Sequence, residues 1–267
     1  MISLKTPDEI EAIARGGAII GELYKELPKR AVPGVSTREL DRFAEEFIRS
    51  HPGAVPAFKG LYGFPATLCT SVNHEVVHGI PTEKRRLKSG DILSVDCGIE
   101  LDGFFTDSAI TIPVGEVARE VEELLAVTRE ALEAGIEQMR AGNRLGDIGA
   151  AIQAPADRAG FGIVQDLVGH GIGREPHEEP QVPNYGKKGR GMPLEIGLVL
   201  AIEPMFNLGT ANIRTLPDRW TVVTADRAVS AHFEHTVAVT ENGPRVLTGR
   251  VDSRQEQSTA EGFRGGG

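Results

Sequence analysis

Two aspartates sit inside apolar runs on either side of a tight-turn signal, and this pattern constrains the chain more than any other. The segment Leu93-Ser94-Val95-Asp96-Cys97-Gly98-Ile99-Glu100-Leu101-Asp102-Gly103-Phe104-Phe105-Thr106-Asp107 carries Asp102-Gly103 between apolar flanks. That dipeptide is a strong signal for a two-residue β-hairpin turn, and the stretch from Asp91 to Pro113 reads as one hairpin. If Leu101 pairs with Phe104, Gly98 lies opposite Asp107. Asp96 then projects from the same face as Asp107, as a diagonal neighbour about 7–8 Å away at the backbone. Aspartate is disfavoured in strands, so two on one face point to a shared small cation.

Two further acids are similarly placed. Glu203 ends the run Leu198-Val199-Leu200-Ala201-Ile202, and Glu234 sits in Ala231-His232-Phe233-Glu234-His235-Thr236-Val237. Burying four carboxylates together without a counter-charge is prohibitively costly. Either each has a basic partner, or they share a cation. No Lys or Arg lies within these strands, which leaves only a partner distant in sequence as the alternative. Four carboxylates with one imidazole suit Mn, Fe, Co or Zn better than a thiolate-selecting ion.

The imidazole is best supplied by His170, in Gly169-His170-Gly171-Ile172-Gly173, where flanking glycines permit close backbone approach. No Lys-Ser/Thr follows, so this is not a phosphate-binding P-loop. His78, between the apolar Val76-Val77 and the turn Gly79-Ile80-Pro81, fits the same chemistry. So does His177, in the loop Pro176-His177-Glu178-Glu179-Pro180; for both, an ordinary structural or surface histidine is the competing reading. His51, His74, His232 and His235 read as structural or surface residues.

Around these residues the pattern helix, turn, helix, paired strands occurs twice, which predicts two related halves around a shared sheet. Thr6 to Glu9 and Ser36 to Glu39 are capping boxes. The first opens a helix with Ile10, Ile13, Ile20, Leu23 and Leu27 on one face, the second a helix with Leu40, Phe43 and Phe47. A strand region begins near Thr67. In the second half, a helix is expected from about Val117 to Met139, and another carries Leu145, Ile148 and Ile152. Pro155 is expected to kink or end that helix. Strands are expected at Gly162 to Leu167, Gly197 to Phe206 and Phe233 to Thr240.

A net charge of -9 without a long basic run argues against a nucleic-acid-binding face. Two cysteines, Cys69 and Cys97, are too few for a disulfide framework. With no apolar leader and no stretch able to span a bilayer, the expectation is a cytoplasmic protein. Residues 1–250 are expected to form one catalytic domain. The polar stretch 251–267, ending Gly265-Gly266-Gly267, is expected to be a disordered tail.

From about residue 3 to 249 the chain resembles the type I methionine aminopeptidases in their short, bacterial-like form. The resemblance rests on Thr70-Ser71-Val72-Asn73 through His78-Gly79-Ile80-Pro81, the Asp96/Asp107 hairpin, Gly169-His170-Gly171-Ile172-Gly173 through His177-Glu178-Glu179-Pro180, Ile202-Glu203-Pro204-Met205, and Phe233-Glu234-His235-Thr236. It implies the α+β pita-bread fold: two pseudo-symmetric halves with a curved antiparallel sheet covered by helices. It implies two divalent metal ions held by Asp96, Asp107, His170, Glu203 and Glu234, with Asp107 and Glu234 bridging. A hydroxide between the metals would attack the carbonyl of an initiator methionine, with Glu203 moving the proton. His177 would meet the oxyanion and His78 the scissile amide. Phe64, Cys69 and Trp220, with Leu61 and Met205, would form the methionine slot, although from sequence alone ordinary core packing is the stronger reading of these residues. A small second residue would be preferred. Substrates would be nascent-chain N-termini, met by a monomer near the ribosome exit.

Several positions depart from the family pattern as we read it. Tyr62 stands where histidine is frequent, Pro176 where a larger side chain precedes the histidine, and His232 where glutamine is frequent; Phe58 lies at a variable position of the pocket wall. These bear on pocket shape rather than metal chemistry. An X-Pro peptidase shares the fold but usually carries an additional N-terminal domain, which this chain leaves no room for. A metal-free binding protein on this fold typically loses ligands and gains basic surface. A structural protein would satisfy its acids with salt bridges.

Overall fold

The structure, a computed structural model, describes residues 2–249. The tail expected from residue 251 lies outside those residues. Its helices are α1 (Pro7–Arg30), α2 (Thr37–Arg49), α3 (Arg119–Glu137) and α4 (Leu145–Ala159). Both capping boxes form. Thr6 Oγ1 accepts from the Glu9 N–H while the Glu9 carboxylate accepts from the Thr6 N–H, and Ser36 with Glu39 repeats the exchange. Each box satisfies two N–H groups that a helix start leaves without partners.

The helix does not end at Pro155. α4 continues to Ala159 and stops at Gly160, whose left-handed φ of 76° only glycine adopts freely. An interior proline costs about 3 kcal/mol. Against this, Ile148 and Ile152 are fully buried in the second-half core, each contributing about 1.5–3 kcal/mol.

Among the described residues every strand pairing is antiparallel. Strand Ile92–Leu101 pairs with Phe104–Pro113 in the register the turn dictates, Leu101 opposite Phe104 and Gly98 opposite Asp107. Asp102 and Gly103 have φ of 54° and 77°, the two positive values a type I′ turn requires. In one half, α1 and α2 cover this hairpin and strand Leu68–Val72, with Leu23, Leu27, Leu40, Leu68, Leu93 and Ile99 between them. In the other, α3 and α4 cover a five-stranded sheet through Leu124, Leu132, Ile152, Leu200 and Val237. A helix pair over an antiparallel sheet therefore occurs twice, the α+β arrangement expected.

The second half differs from expectation in one respect that matters for the site. Val199–Ile202 pairs with His235–Thr240, and the continuations Met205–Asn207 and Ser230–His232 pair in a separate three-stranded sheet. The passage between sheets occurs at Glu203-Pro204 and, directly opposite, at Phe233-Glu234. Neither glutamate is inside a strand, because Pro204 has no N–H to continue the ladder. The expected strand Gly162 to Leu167 is likewise only Gly162–Ile163.

Hydroxyl groups join the halves. Thr236 Oγ1 donates to the Asp107 carbonyl at 2.7 Å and accepts from the Asp107 N–H at 3.1 Å. Ser108 Oγ donates to the Glu234 carbonyl at 2.7 Å, and the Glu234 N–H donates to the Ala109 carbonyl at 2.9 Å. Thr111 Oγ1 bonds both backbone groups of His232. These bonds set Asp107 beside Glu234.

Candidate metal centre

Asp96 and Asp107 rise from the hairpin, Glu203 and Glu234 from the paired strand breaks, and His170 from strand Gly169–Gly171. Ligand atoms of Asp107, His170 and Glu234 all lie within 4.8 Å of one another. His170 Nε2 stands 3.7 Å from Glu203, and the Asp96 carboxyl hydrogen-bonds that of Asp107. The structure brings the five residues into one continuous cluster.

Their electrostatics are those of a site built for cations. Burial raises the carboxyls of Asp96, Glu203 and Glu234 well above the usual range, and the neighbouring acids, Asp107 above all, raise them further. Burial pushes Asp107 up to about 6, against the lowering effects of its Asp96 hydrogen bond and the Ser108 N–H. Among the described residues no Lys or Arg pairs with any of the four; Glu203 has only His170 and His232 nearby. One oxygen each of Asp96 and Asp107 is buried without a hydrogen-bond partner. Buried polar atoms are normally satisfied, so these oxygens fit a ligand other than protein. His170 Nδ1 lies 2.9 Å from the Gly171 carbonyl. Donation there leaves the Nε2 lone pair facing the carboxylates. Burial lowers the His170 ring to about 4, so it is neutral and able to ligate at pH 7.

A cavity of about 290 Å³ opens onto this cluster, and Asp96, His170, Glu203 and Glu234 line it. His78 and His177 line it too, His177 with its ring centroid 4.6 Å from that of His170. Burial holds both rings below the ordinary histidine value. His78 has φ of 59°, and a Cβ on Gly79 would lie 2.2 Å from the Thr70 carbonyl; a glycine is required for the loop to press this close. On the apolar side, Phe64 meets Trp220 edge-on at 5.1 Å, and Cys69 lies across the ladder from Asp96. Leu61, Met205 and Phe58 complete this wall. Tyr62, 77% exposed at the mouth, stacks on His177 at 6.2 Å.

The residue pattern alone reads His232 as structural or surface, and the family resemblance adds only that it bears on pocket shape. It is buried in the site, with Nε2 unpartnered and 3.7 Å from Glu203. Its position two residues before Glu234 was the available signal. Thr236, Ser108 and Thr111, which hold Asp107, Glu234 and His232 in place, carried no such signal.

Residues 11–241 match metallopeptidase family M24. A methionine aminopeptidase of Clostridium perfringens is 53% identical over 248 residues, covering 93% of this chain and 99% of that protein. The crystal structure of methionine aminopeptidase from Thermotoga maritima aligns with a TM-score of 0.91 at 44% identity, covering 94% of this chain and 100% of that one. A prolidase from Pyrococcus furiosus, 23% identical with a TM-score of 0.75 over 92% of this chain and 65% of its own, shares the fold alone. The chain belongs to metallopeptidase family M24, among its methionine aminopeptidases.

Proposed function

We propose that the chain is a metal-dependent aminopeptidase that removes N-terminal methionine from proteins and peptides with a small second residue. The observation that carries this reading is the cluster of four acids beside an apolar slot, with one buried oxygen each of Asp96 and Asp107 left without a partner. The C. perfringens relative supports the choice of methionine. Asp96, Asp107, His170, Glu203 and Glu234 would hold two divalent ions, and Mn, Fe, Co and Zn all suit that donor set. Such ions, when bound, polarise the scissile carbonyl and make water a nucleophile near neutral pH.

The chain's own residues do the rest. Phe64, Cys69 and Trp220 receive the methionine side chain, whose thioether packs well against aromatic rings. Only a free α-amine, and not a peptide nitrogen within a continuing chain, has a lone pair to offer an ion held by these carboxylates, which restricts cleavage to the first residue. Glu203 takes the proton of the attacking water and passes it to the leaving amine. His177 donates to the developing oxyanion, a contact typically worth about 2.7–4 kcal/mol, while His78 contacts the scissile amide.

We place the activity on nascent chains in the cytoplasm, near the ribosome exit, in a monomer. Among the described residues no helix is long and apolar enough to cross a membrane. The test is release of methionine from Met-Ala-Ser by metal-stripped protein with and without Mn²⁺, with Ala-Pro-Ala as comparison. Metal-dependent methionine release with Ala-Pro-Ala intact is expected. Cleavage of Ala-Pro-Ala alone, or no release with any divalent metal, overturns the proposal.

A further inference from the structure

The loop that carries His177 is clamped to the N-terminal segment by a lysine the reaction does not otherwise use. Lys5 has a side chain 1% exposed and pairs with Glu178, itself 10% exposed, the residue after His177. Lysine is almost never buried this far unless paired. Its Nζ also donates to the Ser3 carbonyl at 3.0 Å, and its N–H donates to the Gly197 carbonyl at 2.7 Å, so both ends of the residue are fixed. The other Glu178 oxygen accepts the N–H groups of Arg174 at 2.7 Å and Glu175 at 3.2 Å. Arg174 in turn donates to Ser3 Oγ at 2.6 Å and to Glu9. A Cβ on Gly173 would lie 2.4 Å from Lys5 Cε, so only glycine lets the lysine pass beneath the loop.

Chain connectivity turns this clamp into a constraint on the site. Glu178 opens strand Glu178–Val182 and pairs with Gly171, and the ladder slips between His170 and Gly171. Backbone bonds hold the first loop residues, the Ile172 N–H donating to the Val199 carbonyl at 3.2 Å and the Phe105 N–H to the Gly173 carbonyl at 2.6 Å. Beyond them Glu178, pinned by Lys5, accepts the Arg174 and Glu175 N–H groups and fixes the 174–177 stretch. An apolar pair would hold the fold as well as a buried ion pair does, but would not bond those N–H groups. We propose that Lys5 is a positioning residue for His177, acting through Glu178 to hold the 174–177 loop so that the imidazole faces the reacting carbonyl. This rests on the role given to His177 above.

A double-mutant cycle separates positioning from simple stabilisation. Lys5→Met is expected to lower kcat on Met-Ala-Ser about 10- to 100-fold, the loss typical of a misplaced group, with KM and Mn²⁺ affinity little changed. In a His177→Ala background the same substitution is expected to change kcat less than about twofold. Because Lys5→Met strands a buried carboxylate, the pair Lys5→Met/Glu178→Met is made as well. It is expected to recover the melting temperature but not kcat. Equal losses in the two backgrounds, or recovery of kcat together with stability, overturn the proposal. If His177→Ala alone leaves kcat intact, the catalytic role of His177 fails first and this inference with it.

Discussion

Replacing Asp107 with Asn should shift the metal-free and the metal-loaded protein in opposite directions. Asp107 is 5% exposed, and burial holds its proton to about pH 6 where an unhindered aspartate releases it near 3.8. Between those values the folded state binds more protons than the unfolded one, so metal-free stability falls as the pH rises through that window. Above pH 7 the ionised carboxylate costs the folded metal-free protein about 3 kcal/mol. Asparagine has the same shape and still accepts from the Ser108 N–H, but has no charge to bury. In excess EDTA at pH 8, Asp107→Asn should raise the melting temperature by about 6–12 °C. At pH 4 the gain should shrink below about 1 kcal/mol, since the parent carboxyl is then protonated as well. With saturating Mn²⁺ the order should reverse, because the variant has lost a ligand. A metal-free variant no more stable than the parent at pH 8 would refute the claim that these acids are destabilising without a cation.

Three further outcomes follow from the same geometry. Thr236→Val leaves both backbone groups of Asp107 without their hydroxyl partner and should cost about 2–4 kcal/mol in urea unfolding; an unchanged midpoint would show that the hydroxyl is dispensable. Glu203→Gln should lower kcat about 10²- to 10⁴-fold while the protein still binds a non-cleaved methionine analogue, and retained kcat would remove Glu203 from proton transfer. Mn²⁺ affinity should fall as the pH drops below about 6, since Asp107 must lose its proton to ligate; equal affinities at pH 7.5 and 5.5 by calorimetry would contradict this.

The hairpin was legible because its turn is a local constraint. Few sequences supply two adjacent positive φ values, and once Asp102-Gly103 fixes the turn, the pleat carries Asp96 and Asp107 to one face. The helix starts were legible for the same reason, since each capping box spans four residues. Glu203 and Glu234 were recognisable as acids in apolar runs. Their placement at a matched strand break depends on which sheet each half-strand joins, a fact set far away in sequence. His232 entered the site through that same break. The hydroxyl bonds that seat Asp107 and the Lys5 clamp link residues 129 and 173 positions apart, and neither leaves a local pattern to read. Pro155 misled because a local penalty was outweighed by the burial of its helix.

That these acids share cations is tested most directly by calorimetric titration of Mn²⁺ into chelator-treated protein. Two ions per chain are predicted, with binding lost or reduced to one ion in Asp107→Asn and Glu234→Gln. Saturation without tight binding of any divalent ion, or parent-like titrations in both variants, would contradict it.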